Sequence, residues 1–257
     1  MANPVLEKNF GEQAAADAAL ASSQQTVLGQ AGPTVTVRMS VGGVTGKTAF
    51  LLLSVGGAGT WGWGLVDPTG AFPGWFIWVV LGALGVAVLT AFRPQLAPFL
   101  GPVYALMQGT VVGVISRVYD AAFDGIIVQA VMATVATFLG MLVLYATGII
   151  KASPRFRKIV IGATFGIVIF YGLSIVLSLF GVNASFVWDG SPLGILISLA
   201  VIVIAALNLV LDFDFIDRGV EAGLPKPMEW MAAFGLMVTI IWLYLEFLRL
   251  FARLQQR

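Results

Sequence analysis

Long apolar segments, separated by short stretches rich in charge, Pro or Gly, run through most of the 257-residue chain. Seven such segments can be marked, and each is close to the roughly 20 residues that an α-helix needs to cross a bilayer. They cover residues 49–66, 74–92, 99–116, 125–148, 159–180, 193–211 and 230–250. The pattern predicts an all-α membrane protein with seven transmembrane helices. It does not fit a β-barrel, whose strands would alternate polar and apolar positions.

The start of the chain has no comparable apolar segment. Ala, Gln, Ser and Gly dominate residues 1–33, and the first long apolar stretch begins only after Lys47. We therefore predict a mobile cytoplasmic N-terminal tail over residues 1–46, followed by a seven-helix transmembrane domain over residues 47–257.

Composition narrows the possible functions. Apolar residues make up 59% of the chain, charged residues only 11%, and the net charge is +1. A nucleic-acid partner is therefore not expected, and the lipid bilayer is the predicted surrounding. His and Cys are both absent, so no thiolate, histidine relay or common zinc site can form. Any chemistry would have to use carboxylates, Lys, Arg, hydroxyl groups and the backbone. We expect no enzyme and no bound cofactor.

The distribution of Lys and Arg predicts the orientation. If the N-terminus is cytoplasmic, nine basic residues lie in cytoplasmic loops and one, Arg117, lies outside, as the positive-inside rule requires. The nine are Arg38, Lys47, Arg93, Lys151, Arg155, Arg157, Lys158, Arg218 and Lys226. Arg249, Arg253 and Arg257 oppose this orientation, because seven crossings place them outside. A seventh segment that is re-entrant or tilted is therefore the alternative.

Two motifs suggest enzymes or nucleotide binding but lack required parts. Residues 42–48, Gly-Gly-Val-Thr-Gly-Lys-Thr, do not have the spacing of a phosphate-binding loop, and Lys47 is interpreted as an anchor at the inner surface. Tyr119-Asp120 resembles one element of intramembrane aspartyl proteases, but the second element, Gly-x-Gly-Asp, is absent. Two Gly pairs, Gly109-xxx-Gly113 and Gly162-xxx-Gly166, predict close helix packing.

Acidic residues near membrane depth are the best candidates for function. Asp212 follows the end of the sixth apolar segment, and Glu246 lies within the seventh. A charged acid in this position is costly without a partner, so each should face the protein interior. For Glu246, a local pair with Arg249 is the structural alternative. Asp214, Asp217 and Glu221 are interpreted more simply as part of a solvated cytoplasmic loop, with Asp214 kept as a reserve site.

Three segments together resemble the Bax inhibitor family, the transmembrane Bax-inhibitor-motif proteins, in its bacterial branch. They are Gly109–Ser116 followed by Ile126–Phe138, then Asp212 with Gly223, and finally Trp242–Phe251. The resemblance covers roughly residues 47–251. Val114 stands where the family usually has Pro, and Glu246 where it has Asp.

The resemblance implies a fold in which the last helix is wrapped by the other six, located in the bacterial inner membrane. It also implies a pH-sensitive calcium leak, gated by two carboxylates that share a proton. Transferred by position, the pair is Asp212 and Glu246, which would bind calcium transiently, and Arg93 is the basic latch on the first acid. Two carboxylates close together in a dry bundle cannot both ionise cheaply, so their protonation would change with pH.

Two alternatives stay open at this point. A straight seventh helix starting at Trp230 places Glu246 about 24 Å along its axis, so Glu229 at the inner mouth is the reserve partner of Asp212. The resemblance also implies a different activity, in which a membrane-embedded modulator binds and restrains a membrane protease. The segment 1–33 would suit such a partner.

The first prediction concerns topology. Because the chain has no native cysteine, single cysteines in the 151–158 and 181–192 loops can be labelled by a membrane-impermeant maleimide in intact cells. The Lys and Arg asymmetry predicts a protected 151–158 loop and a labelled 181–192 loop. Labelling of both loops from the same side would contradict the seven-crossing arrangement.

Overall fold

A computed structural model describes residues 38–67, 71–181 and 190–256. They belong to one compact unit, and residues 1–37 of the predicted tail lie outside them. Within the described ranges the fold is built from seven α-helices and no strands. The helices are α1 Val41–Gly64, α2 Phe76–Phe92, α3 Ala97–Ala122, α4 Ile126–Ala146, α5 Pro154–Leu179, α6 Pro192–Glu221 and α7 Met228–Gln255. A short 3-10 turn, Pro94–Leu96, joins α2 to α3.

Six of these helices are long and apolar enough to cross a membrane. The exception, α2, is an apolar helix of 17 residues, which is about 26 Å long and at the lower limit for a span. The chain is thus a multi-pass membrane protein.

The first helix begins earlier than its apolar pattern indicates. Ser40 caps α1 by accepting the Gly43 N–H, so residues 41–46, predicted as part of the tail, belong to the helix. The sixth helix similarly continues to Glu221, past the predicted end at residue 211. Residues 212–221, which hold Asp214 and Asp217, are therefore helical and do not form a cytoplasmic loop.

Helices α6 and α7 lie antiparallel along their whole length. Arg253, near the end of α7, donates to the backbone carbonyl of Gly194 at the start of α6. The seventh segment is one continuous helix of 28 residues, so the re-entrant alternative is wrong. The C-terminal end of α7 lies at the end of the bundle where α6 begins.

The last helix is the best buried of the candidate spans. In the most apolar 18-residue stretch of α7, 56% of the residues are buried, whereas in the corresponding stretch of α5 the share is 11%. It packs against α1, α3, α4 and α6. Large apolar side chains on α2, α4 and α5 are widely exposed, among them Phe92, Met132 and Ile169, as expected of lipid-facing surfaces.

Helices α1 and α3 approach each other through glycine. A Cβ at Gly109 would lie 2.5 Å from the Val55 carbonyl oxygen, and one at Gly113 would collide with the Gly59 backbone. The predicted packing role of this pair is confirmed. The prediction for Gly162 and Gly166 is wrong, because a Cβ at either position would meet nothing within 4 Å.

This contact predicts that Gly113→Ala destabilises the protein by about 1–3 kcal/mol, because α1 and α3 must separate to admit the methyl group. Gly166→Ala is the matched control and should be neutral or slightly stabilising, since it adds helix propensity in open space. Thermal or chemical unfolding in one detergent compares the two. Equal stability of both variants would contradict the close backbone approach.

Candidate functional site

Three acidic side chains lie at different levels along the α6–α7 pair. Glu229 is at the start of α7, Asp212 faces its middle, and Glu246 lies in its last third. Glu229 and Glu246 are each only 1% exposed. Because buried charge is costly without compensation, the partners of each acid decide what it can do.

Glu246 is held in a network with residues of three helices. Its carboxylate accepts hydrogen bonds from Arg249 Nη1 at 2.9 Å, Ser198 Oγ at 3.1 Å and the Tyr171 hydroxyl at 3.3 Å. Arg249 also donates to the Tyr171 hydroxyl at 2.7 Å and lies over its ring. The local pair with Arg249 is therefore present, and it is one bond of a larger network.

A second arginine completes this network. Arg253, 1% exposed, donates to Ser198 Oγ at 2.6 Å, so Ser198 links the two ends of the cluster. Arg249 and Arg253 thus turn into the protein, which explains why their positions oppose the charge asymmetry of the loops. Sequence reasoning missed Tyr171, Ser198 and Arg253. Only the seven-residue spacing of Glu246 and Arg253, which places both on one helix face, could have indicated the last of them.

Asp212 has a different environment. Its carboxylate points from α6 toward Gly235 and Thr239 of α7. A Cβ at Gly235 would lie 3.5 Å from Asp212 Oδ1. The other carboxylate oxygen, Oδ2, is buried and has no hydrogen-bond partner among the described residues.

The structure does not bring Asp212 and Glu246 together. Glu246 contacts Ser198, which is 14 residues or about 21 Å from Asp212 along α6. On α7, Thr239 beside Asp212 is two turns, about 10 Å, from Glu246. The predicted proton-sharing pair and the joint calcium site at these two residues are therefore not formed, because the register between α6 and α7 keeps the two carboxylates on separate levels of the bundle.

The predicted latch is not formed either. Arg93 is exposed at the C-terminal end of α2 and makes no hydrogen bond or ion pair with Asp212. The reason is the position of α2, which packs on α3 and on the short turn that follows α2.

Glu229 is paired with the first helix. Lys47 forms an ion pair with its carboxylate, and Ser40 donates to it through the backbone N–H at 3.0 Å and the hydroxyl at 3.1 Å. Gly43 leaves room for the carboxylate, which a Cβ at that position would overlap. A carboxylate at a helix N-terminus is favoured by the free N–H groups there. Glu229 is thus not the partner of Asp212, and Lys47 is not a free surface anchor.

Two further acids of α6, Asp214 and Asp217, are also engaged. Asp214 binds Arg157 at 2.8 Å and Arg218 at 2.6 Å, and Asp217 accepts the Tyr145 hydroxyl at 2.8 Å. Among the described residues, no three His, Cys, Asp or Glu side chains converge as a metal site would require. Of Asp212, Asp214, Glu229 and Glu246, only Asp212 lacks a cationic partner in the described ranges, and although the residue is only partly buried, its Oδ2 atom is buried.

Comparison with known families adds one result. Residues 3–256 match the family described as Bax inhibitor 1 like. None of the curated proteins and none of the solved structures compared with the chain gives a match. The family match extends over nearly the whole chain, well beyond the three segments that carry the resemblance.

The Glu229 cluster predicts a strong effect of Lys47→Met. Removing the cation leaves the buried Glu229 carboxylate with only its two hydrogen bonds from Ser40, and we expect a loss of about 3 kcal/mol in the free energy of unfolding. Lys47→Met combined with Glu229→Leu should recover part of it. Arg218→Met is the control, because its half-exposed pair should contribute at most about 1 kcal/mol and Asp214 retains Arg157. Equal losses for Lys47→Met and Arg218→Met would show that the Lys47 pair has no special role.

Proposed function

The chain belongs to the Bax inhibitor 1 like family, and we propose that it is a pH-sensitive cation leak of the membrane, with calcium as the permeant ion. In this proposal α7 is the central helix, and ions cross the bundle along its contact with α6. The bacterial inner membrane and a cytoplasmic N-terminus are part of the same proposal, supported by the Lys and Arg asymmetry of the loops.

The observation that carries the proposal is the carboxylate of Asp212 in the middle of the helix bundle, which has no cation beside it among the described residues and whose buried Oδ2 has no hydrogen-bond partner there. An acid at membrane depth normally pairs with a cation or a metal, and one without such a pair is a candidate for an ion or proton pathway. Carboxylate and carbonyl oxygens are the ligands that calcium prefers. A single carboxylate with a few carbonyls or waters is a weak site, which suits an ion that must leave again.

The two fully buried acids suit a different part of the same mechanism. Glu229 near one end of α7 and Glu246 near the other are each paired with a cation, Lys47 and Arg249. They are about 26 Å apart along the helix. Because each of these carboxylates is already neutralised by a fixed cation, it offers no binding site to a mobile one. We therefore propose that these pairs hold the leak closed and that their separation admits ions to Asp212.

The pH dependence follows from the charge on Asp212. A protonated carboxylic acid is neutral and binds cations poorly, so the flux should increase as Asp212 loses its proton. Protonation and cation binding thus compete for one carboxylate. This replaces the proton-sharing pair by a single titrating site.

Asp212→Asn tests this mechanism in liposomes that contain only this protein. With calcium outside and a calcium-sensitive dye inside, wild-type protein should give a flux that rises with pH. The variant should lose most of that flux and its pH dependence, because an amide neither titrates nor attracts cations. Asp214→Asn is the matched control, two residues away on the same helix but already neutralised by Arg157 and Arg218.

Equal insertion and unfolding temperature of the variants must be verified first. An unchanged flux profile in Asp212→Asn would refute the role of this residue. A wild-type protein that is silent at every pH would reject the leak itself. That result would favour the other activity that the family resemblance implies, a modulator that binds and restrains a membrane protease.

A further inference from the structure

The three residues that precede α1 lie across the turn between α6 and α7. The Met39 N–H donates to the Leu224 carbonyl oxygen at 2.7 Å, and Arg38 faces Pro225 in an isolated antiparallel bridge. We call residues 38–40 the strap. It ties the start of α1 to the far end of the described chain, at the point where α7 begins.

Met39 anchors the middle of the strap. Its side chain is 3% exposed and belongs to the main apolar core. Gly219 on α6 leaves room for it, because a Cβ at that position would lie 2.9 Å from the Met39 sulfur. Arg38 and Ser40, on either side, are exposed. A short irregular segment with a single buried side chain detaches at a lower free-energy cost than packed helices unfold.

Ser40 joins the strap to the ion pair of Lys47 and Glu229. Its backbone N–H and its hydroxyl both donate to Glu229 Oε1, at 3.0 and 3.1 Å, while Lys47 pairs with Oε2. Within the described ranges, the Glu229 carboxylate thus has its donors in the strap and in Lys47. Ser40 is exposed whereas Glu229 is 1% exposed, so the strap lies between this carboxylate and the outside of the bundle.

The strap and the ion pair stabilise each other. If the strap detaches, Glu229 loses both bonds from Ser40 and becomes accessible to water, which weakens its attraction to Lys47. If Lys47 is absent, the carboxylate is buried with too few partners and is drawn toward water, away from Ser40. Such a coupling between two contacts is reciprocal, because either one raises the stability of the other by the same free energy.

We propose that the strap and the Lys47–Glu229 pair form a single clasp, which opens as one unit and uncovers the Glu229 carboxylate at the start of α7. The consequence for ions rests on the proposed leak: an uncovered carboxylate at the mouth of the bundle attracts cations, so the open clasp admits them and the closed clasp does not. The clasp itself is measurable without any ion flux.

A single cysteine in the strap reports its detachment. The chain has no native cysteine, so Met39→Cys provides one buried thiol in the full-length protein, and its reaction with a water-soluble maleimide in detergent is followed by mass spectrometry. Adding Lys47→Met should accelerate this reaction at least about tenfold, equivalent to 1.4 kcal/mol in the opening of the strap. Arg218→Met is the matched control, because its partner Asp214 does not belong to the clasp.

A second cysteine position distinguishes opening of the clasp from unfolding of the bundle. Met237 on α7 is 0% exposed, so the thiol of Met237→Cys should stay unreactive in the Lys47→Met background. The proposal is overturned if Lys47→Met does not accelerate labelling of Met39→Cys, or if Arg218→Met accelerates it equally. It is also overturned if labelling of Met237→Cys increases to the same extent.

A disulfide across the strap tests its effect on ions. Opposed residues of an antiparallel bridge have Cα atoms about 4.5–5.5 Å apart, a separation that a disulfide spans. Arg38→Cys combined with Pro225→Cys should therefore cross-link under mild oxidation, and failure to do so would contradict the closed clasp. In liposomes the oxidised protein should lose most of its calcium flux and recover it with a reductant. Arg38→Cys alone should respond to neither treatment.

The two measurements keep the clasp and the leak apart. A calcium flux that the closed disulfide leaves unchanged would overturn the clasp as the gate. A wild-type protein without flux at any pH would reject the leak, and the labelling of Met39→Cys would still decide whether the clasp exists.

Discussion

The cost of burying charge constrains this protein more than any other interaction. With 11% charged residues and several of them inside the bundle, each buried carboxylate must find a cation or hydrogen-bond donors on another helix. Glu229 joins α7 to α1 through Lys47 and Ser40, and Glu246 joins α7 to α5 and α6 through Tyr171 and Ser198. The rotation and depth of α7 are thereby fixed near both of its ends, and apolar packing fills the space between.

Asp212 differs from these two paired carboxylates. The same helix pair that satisfies Glu246 leaves one oxygen of Asp212 buried without a partner among the described residues. An unsatisfied buried oxygen lowers the stability of the folded protein. Its presence therefore points to a functional role for Asp212. The proposed leak rests on this difference between the ion-paired acids near the two ends of α7 and Asp212, which lies beside its middle.

The length and limits of the apolar segments are sufficient to predict the number and order of the helices, because lipid-facing segments must be apolar on every exposed side. The predicted segment 125–148 differs from α4 by two residues or fewer at each end. The errors occur at helix ends: residues 41–46 of α1 and residues 212–221 of α6, among them Asp214, are helical although hydropathy assigns them to tail and loop. The positions of Asp212 and Glu246 relative to the apolar segments also predicted that each faces the protein interior. Their pairing could not be predicted, since it depends on the register between α6 and α7, and a shift of a few residues moves a side chain by about 5 Å per turn.

The bond between Lys47 and Glu229 also has a consequence for biogenesis. The two residues are 182 positions apart, and the chain is made from its N-terminus at about 5–20 residues per second. For roughly 10–40 s the ribosome has produced Lys47 but not its partner. During that interval α1 carries an unpaired cation that water or lipid phosphate must solvate, so the first turns of α1 stay at the membrane surface. Insertion of the last helix then supplies the carboxylate that allows the start of the first helix to take its final depth.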